Sequence, residues 1–203
     1  GQLPYNFQKA SILTYVIYLI ARPVTQLYST PEKSPITNWA YSILGQIYVV
    51  LPLALLGVWG YKSDYQLFMN TEYLLMALFV FVWTNDTGAY IVGCTLGKHR
   101  LFERISPKKS WEGFFGGLAF CIILASLANY IIPGMLSTAQ WIGMGILTSI
   151  FSTWGDLCES LLKRTAGVKD SGKILPGHGG ILDRFDSELI ASPVIFIYLT
   201  FVL

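Results

Sequence analysis

The sequence predicts an all-α, polytopic integral membrane protein with about six transmembrane helices. Three observations predict it. Of 203 residues, 53% are hydrophobic and only 13% are charged, where a soluble domain carries about a quarter charged residues. Several uncharged runs are long enough to cross a bilayer, which takes about 20 mostly apolar residues. The runs are also continuously apolar, unlike the ~10-residue alternating strands of a membrane barrel.

In chain order, helices are expected over roughly 8–29, 39–60, 72–93, 113–133, 138–162 and 186–203. Ala10 to Ala21 is apolar but short, and Arg22-Pro23 follows it. It lacks the basic start and small-residue cleavage site of a signal peptide, so a tilted first helix is expected. Ser34 to Tyr61 holds 28 residues without a charge, and Tyr73 to Gly97 is interrupted only by Asp86. Gly113 to Gly155 holds 43 uncharged residues, broken by Pro133-Gly134 into two spans and a turn. Leu189 to Leu203 is uncharged to the last residue. The chain starts at Gly1 and stops inside an apolar run, so a fragment of a longer protein is expected. Cys94, Cys121 and Cys158 fall in apolar stretches without disulfide or zinc spacing.

Ten of the 14 Lys and Arg lie in two segments. Lys98, Arg100, Arg104, Lys108 and Lys109 occupy 94–112; Lys163, Arg164, Lys169, Lys173 and Arg184 occupy 163–187. Two spans separate these segments, so they share one side, and the positive-inside tendency makes that side cytoplasmic. A plainer reading gives these cations only topology and anionic lipid heads to serve. The acidic residues argue for more.

Asp156 sits deep in the fifth apolar run, with Glu159 and Ser160 at i+3 and i+4 on the same helix face. Carboxylates within spans are costly and face cavities, ions or partners. For Asp156 the partner would be Lys163 or Arg164; for Asp86, beside Asn85, it would be Thr84, Asn85 or a neighbouring helix. The densest cluster runs from Lys163 to Asp186. Its glycines, Gly177, Gly179 and Gly180, let backbone N–H groups approach a ligand, and a helix starting near Ile181 would aim its N-terminus at an anion. Asp183 and Asp186 share a face. Hard carboxylate oxygens suit Mg²⁺, which bridges substrate phosphates, and Lys and Arg suit the phosphates themselves. Together these features describe phosphoryl or nucleotidyl transfer. Helices leaving and re-entering the membrane around this cluster would bring Asp156 and Asp183 to similar depth. With Asp186 and Glu159 one turn away, these four form the expected metal set, with room for a second cation beside Mg²⁺. His178 is read as a positioning group, with a general acid or base role as the alternative, because a phosphate monoester is already ionised near neutral pH.

Ser160-Leu161-Leu162-Lys163-Arg164, Lys169-Asp170, Leu175-Pro176-Gly177-His178-Gly179-Gly180 and Asp183-Arg184-Phe185-Asp186 resemble the signature of phosphatidate cytidylyltransferases, the CDP-diacylglycerol synthases. Asn85-Asp86-Thr87-Gly88-Ala89-Tyr90 and Ser106-Pro107-Lys108-Lys109-Ser110-Trp111-Glu112-Gly113 resemble further motifs of that family. The resemblance is firm over 80–203. It implies Mg²⁺-dependent transfer of CMP from CTP to phosphatidate, giving CDP-diacylglycerol and pyrophosphate, in a homodimer. Residues 1–71 are then N-terminal membrane helices, and 72–203 a catalytic membrane domain with cytoplasmic loops 94–112 and 163–187. Catalytic roles are expected for Asp156, Lys163, Arg164, Lys169, Asp170, His178, Asp183, Arg184 and Asp186. Substrate contacts are expected from Asn85, Asp86, Lys108, Lys109, Ser160, Lys173, Gly179 and Gly180. CTP, phosphatidate and membrane lipid are the expected partners, and the inner membrane of a bacterium the expected location. A transporter would also place acids within spans, but does not predict the dense basic turn. A CDP-alcohol phosphatidyltransferase would need a paired-Asp motif that this sequence lacks.

Overall fold

A computed structural model describes residues 5–28, 34–60, 71–172, 174 and 179–203. Helix α1 spans Tyr5–Tyr28. Helix α2 (Pro35–Gly45) runs through a π-turn (Gln46–Val50) directly into α3 (Leu51–Gly60). Pro52 explains the π-turn: a proline ring clashes with the carbonyl four residues earlier, and wider turns relieve that clash. Helices α4 (Thr71–Leu96), α5 (Trp111–Ile131), α6 (Thr138–Thr165) and α7 (Leu182–Val202) follow. Sequence sets their starts. Ser110 caps α5 by accepting from the Gly113 N–H at 3.1 Å. Ser137 and Gln140 form a reciprocal capping box at α6. Between α5 and α6 the chain turns at Gly134, whose φ of 79° suits glycine.

Each of the six expected spans has a helical counterpart. Among the described residues, four stretches are long and apolar enough to cross a membrane: Pro35–Gly57, Glu72–Leu96, Trp111–Ile131 and Leu182–Val202. This is a helical membrane protein, and α1 and α6 lie outside those four. Helix α6 carries a polar stripe, Ser149, Ser152, Thr153 and Glu159, that is buried against its neighbours rather than offered to lipid. One expectation needs correcting. Segment 94–112 is not a plain loop but holds an antiparallel hairpin, β1 (Arg100–Phe102) and β2 (Ser106–Ser110). Alternation over such short, charged strands leaves little signal to read.

The core lies among α4, α5, α6 and α7. Leu74, Leu78 and Phe81 of α4, Cys121 and Ala125 of α5, Trp141 and Met144 of α6, and Ala191, Ile195 and Leu199 of α7 are all buried there. Helix α4 packs most extensively on α5, and α6 packs on both α5 and α7. Small residues allow these approaches. A Cβ on Gly117 would lie 2.7 Å from the Asn85 carbonyl oxygen, and one on Gly155 would lie 2.6 Å from the Asp186 carbonyl oxygen. The second contact matters for function, because it presses α6 against α7 at the level of two acidic side chains.

Candidate functional site

Two stripes of α6 organise the site. At about 100° per residue, Ser149, Ser152, Thr153, Asp156, Ser160 and Lys163 share one face, while Ile150, Trp154, Leu157, Cys158 and Leu161 share another.

Asn85 of α4 binds the upper part of the polar stripe. Its amide nitrogen donates to Ser152 Oγ at 3.2 Å and Thr153 Oγ1 at 3.4 Å, and its oxygen accepts from Ser149 Oγ at 2.6 Å. This buried set fixes α4 against α6 and holds Asp86 at the edge of an open cavity of ≈ 270 Å³. Asn85, Asp86, Lys108, Lys109, Thr153 and Asp156 contribute to its walls. Lys109 reaches Asp156 at 2.6 Å, and Ser160 Oγ donates to the other Asp156 oxygen at 3.2 Å.

The hairpin delivers that lysine. Glu112 accepts from the backbone N–H groups of Lys98 and His99 at 3.2 Å, and His99 Nδ1 lies 2.6 Å from Glu112 Oε1. The Trp111 N–H donates to the His99 carbonyl at 2.9 Å. These bonds tie the hairpin's root to the first turn of α5, so β2 runs directly into the helix cap beside the cavity.

A second cluster lies one turn further along α6. Lys163 Nζ bridges the buried Glu159 carboxylate and Asp183 Oδ1, the latter at 2.8 Å. Asp183 also accepts from the Ser171 N–H and Oγ, both at 2.9 Å, and from the Gly180 N–H at 2.7 Å. One carboxylate thus joins the end of α6, the connecting loop and the start of α7. Gly179, at φ 80°, makes the return that brings the Gly180 N–H inward. Lys163 lies beyond the expected span 138–162. Burial opposes its charge, but hydrogen bonds to Asp183 and Glu159 outweigh that cost and hold the ammonium above the usual lysine range.

The structure therefore brings the expected residues together in two sets. Asn85, Asp86, Lys108, Lys109 and Asp156 surround the cavity, with Ser160 bonded to Asp156; Glu159, Lys163, Asp183, Gly179 and Gly180 form the knot beside it. Asp186 lies between them, its Oδ1 accepting from the Ser187 N–H at 2.7 Å, with its backbone against Gly155. Arg164, Lys169, Asp170 and Arg184 are exposed around the knot. His178 and Lys173 lie outside the described residues. Asp156 pairs with Lys109, not with Lys163 or Arg164, because Lys163 is already held by Glu159 and Asp183.

The metal-ligand expectation for Asp156, Glu159, Asp183 and Asp186 meets a divided arrangement. Among the described residues no three His, Cys, Asp or Glu side chains converge as a metal cage. Mg²⁺ does not need one: it keeps waters and is held by one or two carboxylates plus substrate phosphates. The hard oxygens of Asp156, at the cavity, fit that requirement, whereas both oxygens of Asp183 already accept from Lys163, Ser171 and Gly180. The ammonium bridging Glu159 and Asp183 shows that positive charge is favoured between α6 and α7.

Sequence reasoning missed several participants. Ser149, Ser152 and Thr153 read as ordinary small residues until Asn85 is seen between them. Ser171 anchors Asp183, and Glu112 fixes the hairpin. Glu188, 3% exposed in α7, is an acid within an apolar helix and carried the same signal as Asp156.

The model of the cytidylyltransferase family matches residues 2–202. A phosphatidate cytidylyltransferase of Staphylococcus aureus (strain COL) is 41% identical over 160 residues, covering 78% of this chain and 61% of that protein. The namesake proteins of Staphylococcus haemolyticus and Staphylococcus epidermidis are 41% and 40% identical over 159 residues, with the same coverage. The chain thus spans 61% of the length of the curated relatives it matches.

Proposed function

The chain belongs to the cytidylyltransferase family, and on that footing we propose that it transfers CMP from CTP to phosphatidate, releasing pyrophosphate and forming CDP-diacylglycerol. The observation that carries this reading is the cavity where Lys109 meets Asp156, with Asn85 and Asp86 also in its walls. It offers cations for phosphate and carboxylates for a divalent ion in one place, next to apolar helix surface suited to a lipid.

The phosphate oxygen of phosphatidate attacks the α-phosphorus of CTP. A P–O bond forms, the bond to the β-phosphate breaks, and pyrophosphate leaves with the electron pair. The nucleophile is already ionised, so no side chain needs to take its proton. The protein's work is positioning and charge stabilisation. Lys108 and Lys109 steady phosphate oxygens at the cavity. Asn85 holds α4 so that Asp86 stays at the rim. Asp183 keeps the Gly179-Gly180 return folded, leaving Lys163 poised between α6 and α7. Asp156 would hold Mg²⁺ at the cavity, where the ion would supply Lewis-acid neutralisation of phosphate charge.

The remaining parts of the reading are a multi-pass membrane protein with the site open to the cytoplasm, and a homodimer. Ten of 14 cations in the two site-forming segments support the orientation. Incubating the full-length protein in lipid with labelled CTP, phosphatidate and Mg²⁺ tests the reaction. Labelled CDP-diacylglycerol with matching pyrophosphate is the expected result, and a folded protein that makes neither would overturn the assignment.

A further inference from the structure

A second cavity, almost wholly apolar and of ≈ 670 Å³, lies beside the first. Its floor is the apolar stripe of α6: Ile150, Trp154, Leu157, Cys158 and Leu161. That stripe extends over about 16 Å of helix at 1.5 Å per residue. The hairpin and the first turn of α5 form the opposite wall. Leu101 and Phe114 line both cavities, so the two share a boundary. Charged groups line one side of that boundary, and among the described residues none lines the other.

We propose that this trough holds one acyl chain of the phosphatidate whose phosphate lies at Lys109, and that its depth sets chain-length preference. The inference rests on the proposed reaction and adds which residues measure the lipid. Charge complementarity selects the occupant. A phosphate-headed amphiphile matches a cationic cavity continuous with an apolar trough, whereas a second protein copy would have no use for the shared boundary. The same α6 helix serves both halves, since its polar and apolar stripes diverge by roughly a third of a turn.

Cys158→Trp places an indole in the trough without touching the charged cavity. In the full-length protein, KM for dipalmitoyl phosphatidate is expected to rise about tenfold or more, the scale on which apolar pockets discriminate by size. KM for dihexanoyl phosphatidate and for CTP should stay unchanged. Ile123→Trp, on an exposed face of α5 away from the trough, should alter neither lipid. If Cys158→Trp does not fold, Leu161→Phe on the same stripe carries the test. Equal effects on both lipids, or none, overturn the proposal. So does a change in oligomer mass with the chain-length profile intact, which would make the trough an interface between copies. A phosphatidate carrying a diazirine midway along one chain gives an independent readout. Crosslinks on 150–161 or on the facing Leu101, Phe102, Trp111 and Phe114 uphold the trough, and crosslinks confined to residues that do not line it reject it. If no phosphatidate is converted at all, the reaction assignment fails, and the crosslink map still decides what occupies the trough.

Discussion

Lys109, at the end of a strand, stands 2.6 Å from Asp156 in the middle of a helix that begins two elements later. Both side chains remain about a quarter to a third exposed, at 26% and 32%. Ion pairs with that much solvent contribute little to stability, about 0–1 kcal/mol. A pair built by a dedicated hairpin yet worth little to the fold points to use in the site.

Lys109→Ala should therefore leave thermal stability in detergent within about 1 kcal/mol. It should lower kcat/KM by one to two decades, the ~1.5–3 kcal/mol of a lost charge-assisted contact. Wild-type kinetics, or a loss of activity matched by a loss of fold, would remove Lys109 from the machinery.

The helices were legible in the sequence because burial in lipid demands long uncharged runs, and Pro133-Gly134 marked the break within the run 113–155. Asp156, Lys163 and Asp183 were legible because charge inside or beside such runs is costly and stands out. Their pairing was not. Asp156 has two cations within about two turns on its own helix, and the hairpin, invisible in Ser106-Pro107-Lys108-Lys109, brings a third within reach. The two-way split of the acidic set depends on Ser171 and Gly180 donating to Asp183, which no spacing rule reports.

Lys163→Met should be far more damaging to the fold than Lys109→Ala. Glu159 has a side chain only 1% exposed, and Lys163 is its ion-pair partner. An unpartnered buried charge costs about 3–5 kcal/mol. Little folded Lys163→Met protein is expected by size-exclusion chromatography. Adding Glu159→Gln removes the stranded charge and should restore most of the folded yield. A well-folded single variant would show that Glu159 is neutralised by other means.

Gly117→Ala tests the seam between α4 and α5. The added carbon would sit 2.5 Å from Asn85 Oδ1 and 2.7 Å from the Asn85 carbonyl oxygen. Backbone cannot yield as a flexible side chain does, so a loss of about 1–3 kcal/mol is expected. Gly45→Ala, with nothing within 4 Å of its new carbon, should be neutral or stabilising by up to ~1 kcal/mol. Equal melting temperatures for the two variants would contradict the packing.

Topology can be read with single cysteines in a background free of the native ones. Glu103, in the hairpin turn, and Ile174, 71% exposed, are better sites than His99 or Ser171, whose side chains hold Glu112 and Asp183. Both should resist a membrane-impermeant thiol reagent in sealed cells and react after permeabilisation. Labelling from outside would reverse the orientation.

Asp183→Asn and Asp156→Asn separate metal binding from architecture. Asp183 accepts from Lys163, Ser171 and Gly180. An amide keeps the size but loses the charge, and its nitrogen faces donors instead of accepting from them. Some loss of stability is therefore expected at Asp183 whatever its role. Among the described residues Asp156 accepts from Ser160 and Lys109 alone and is partly exposed, so Asp156→Asn should fold normally. The decisive quantity is the rate as a function of Mg²⁺ concentration, measured on the folded fraction of each variant. If both carboxylates hold the metal, turnover collapses in both, and the surviving rate needs much more Mg²⁺ to reach half its maximum. If Asp183 only ties the loop, Asp183→Asn loses rate but keeps the wild-type Mg²⁺ midpoint, while Asp156→Asn alone shifts it. A folded, fully active Asp183→Asn would end its assignment as a ligand. An unshifted midpoint in Asp156→Asn would assign Asp156 to the Lys109 pair rather than to the metal.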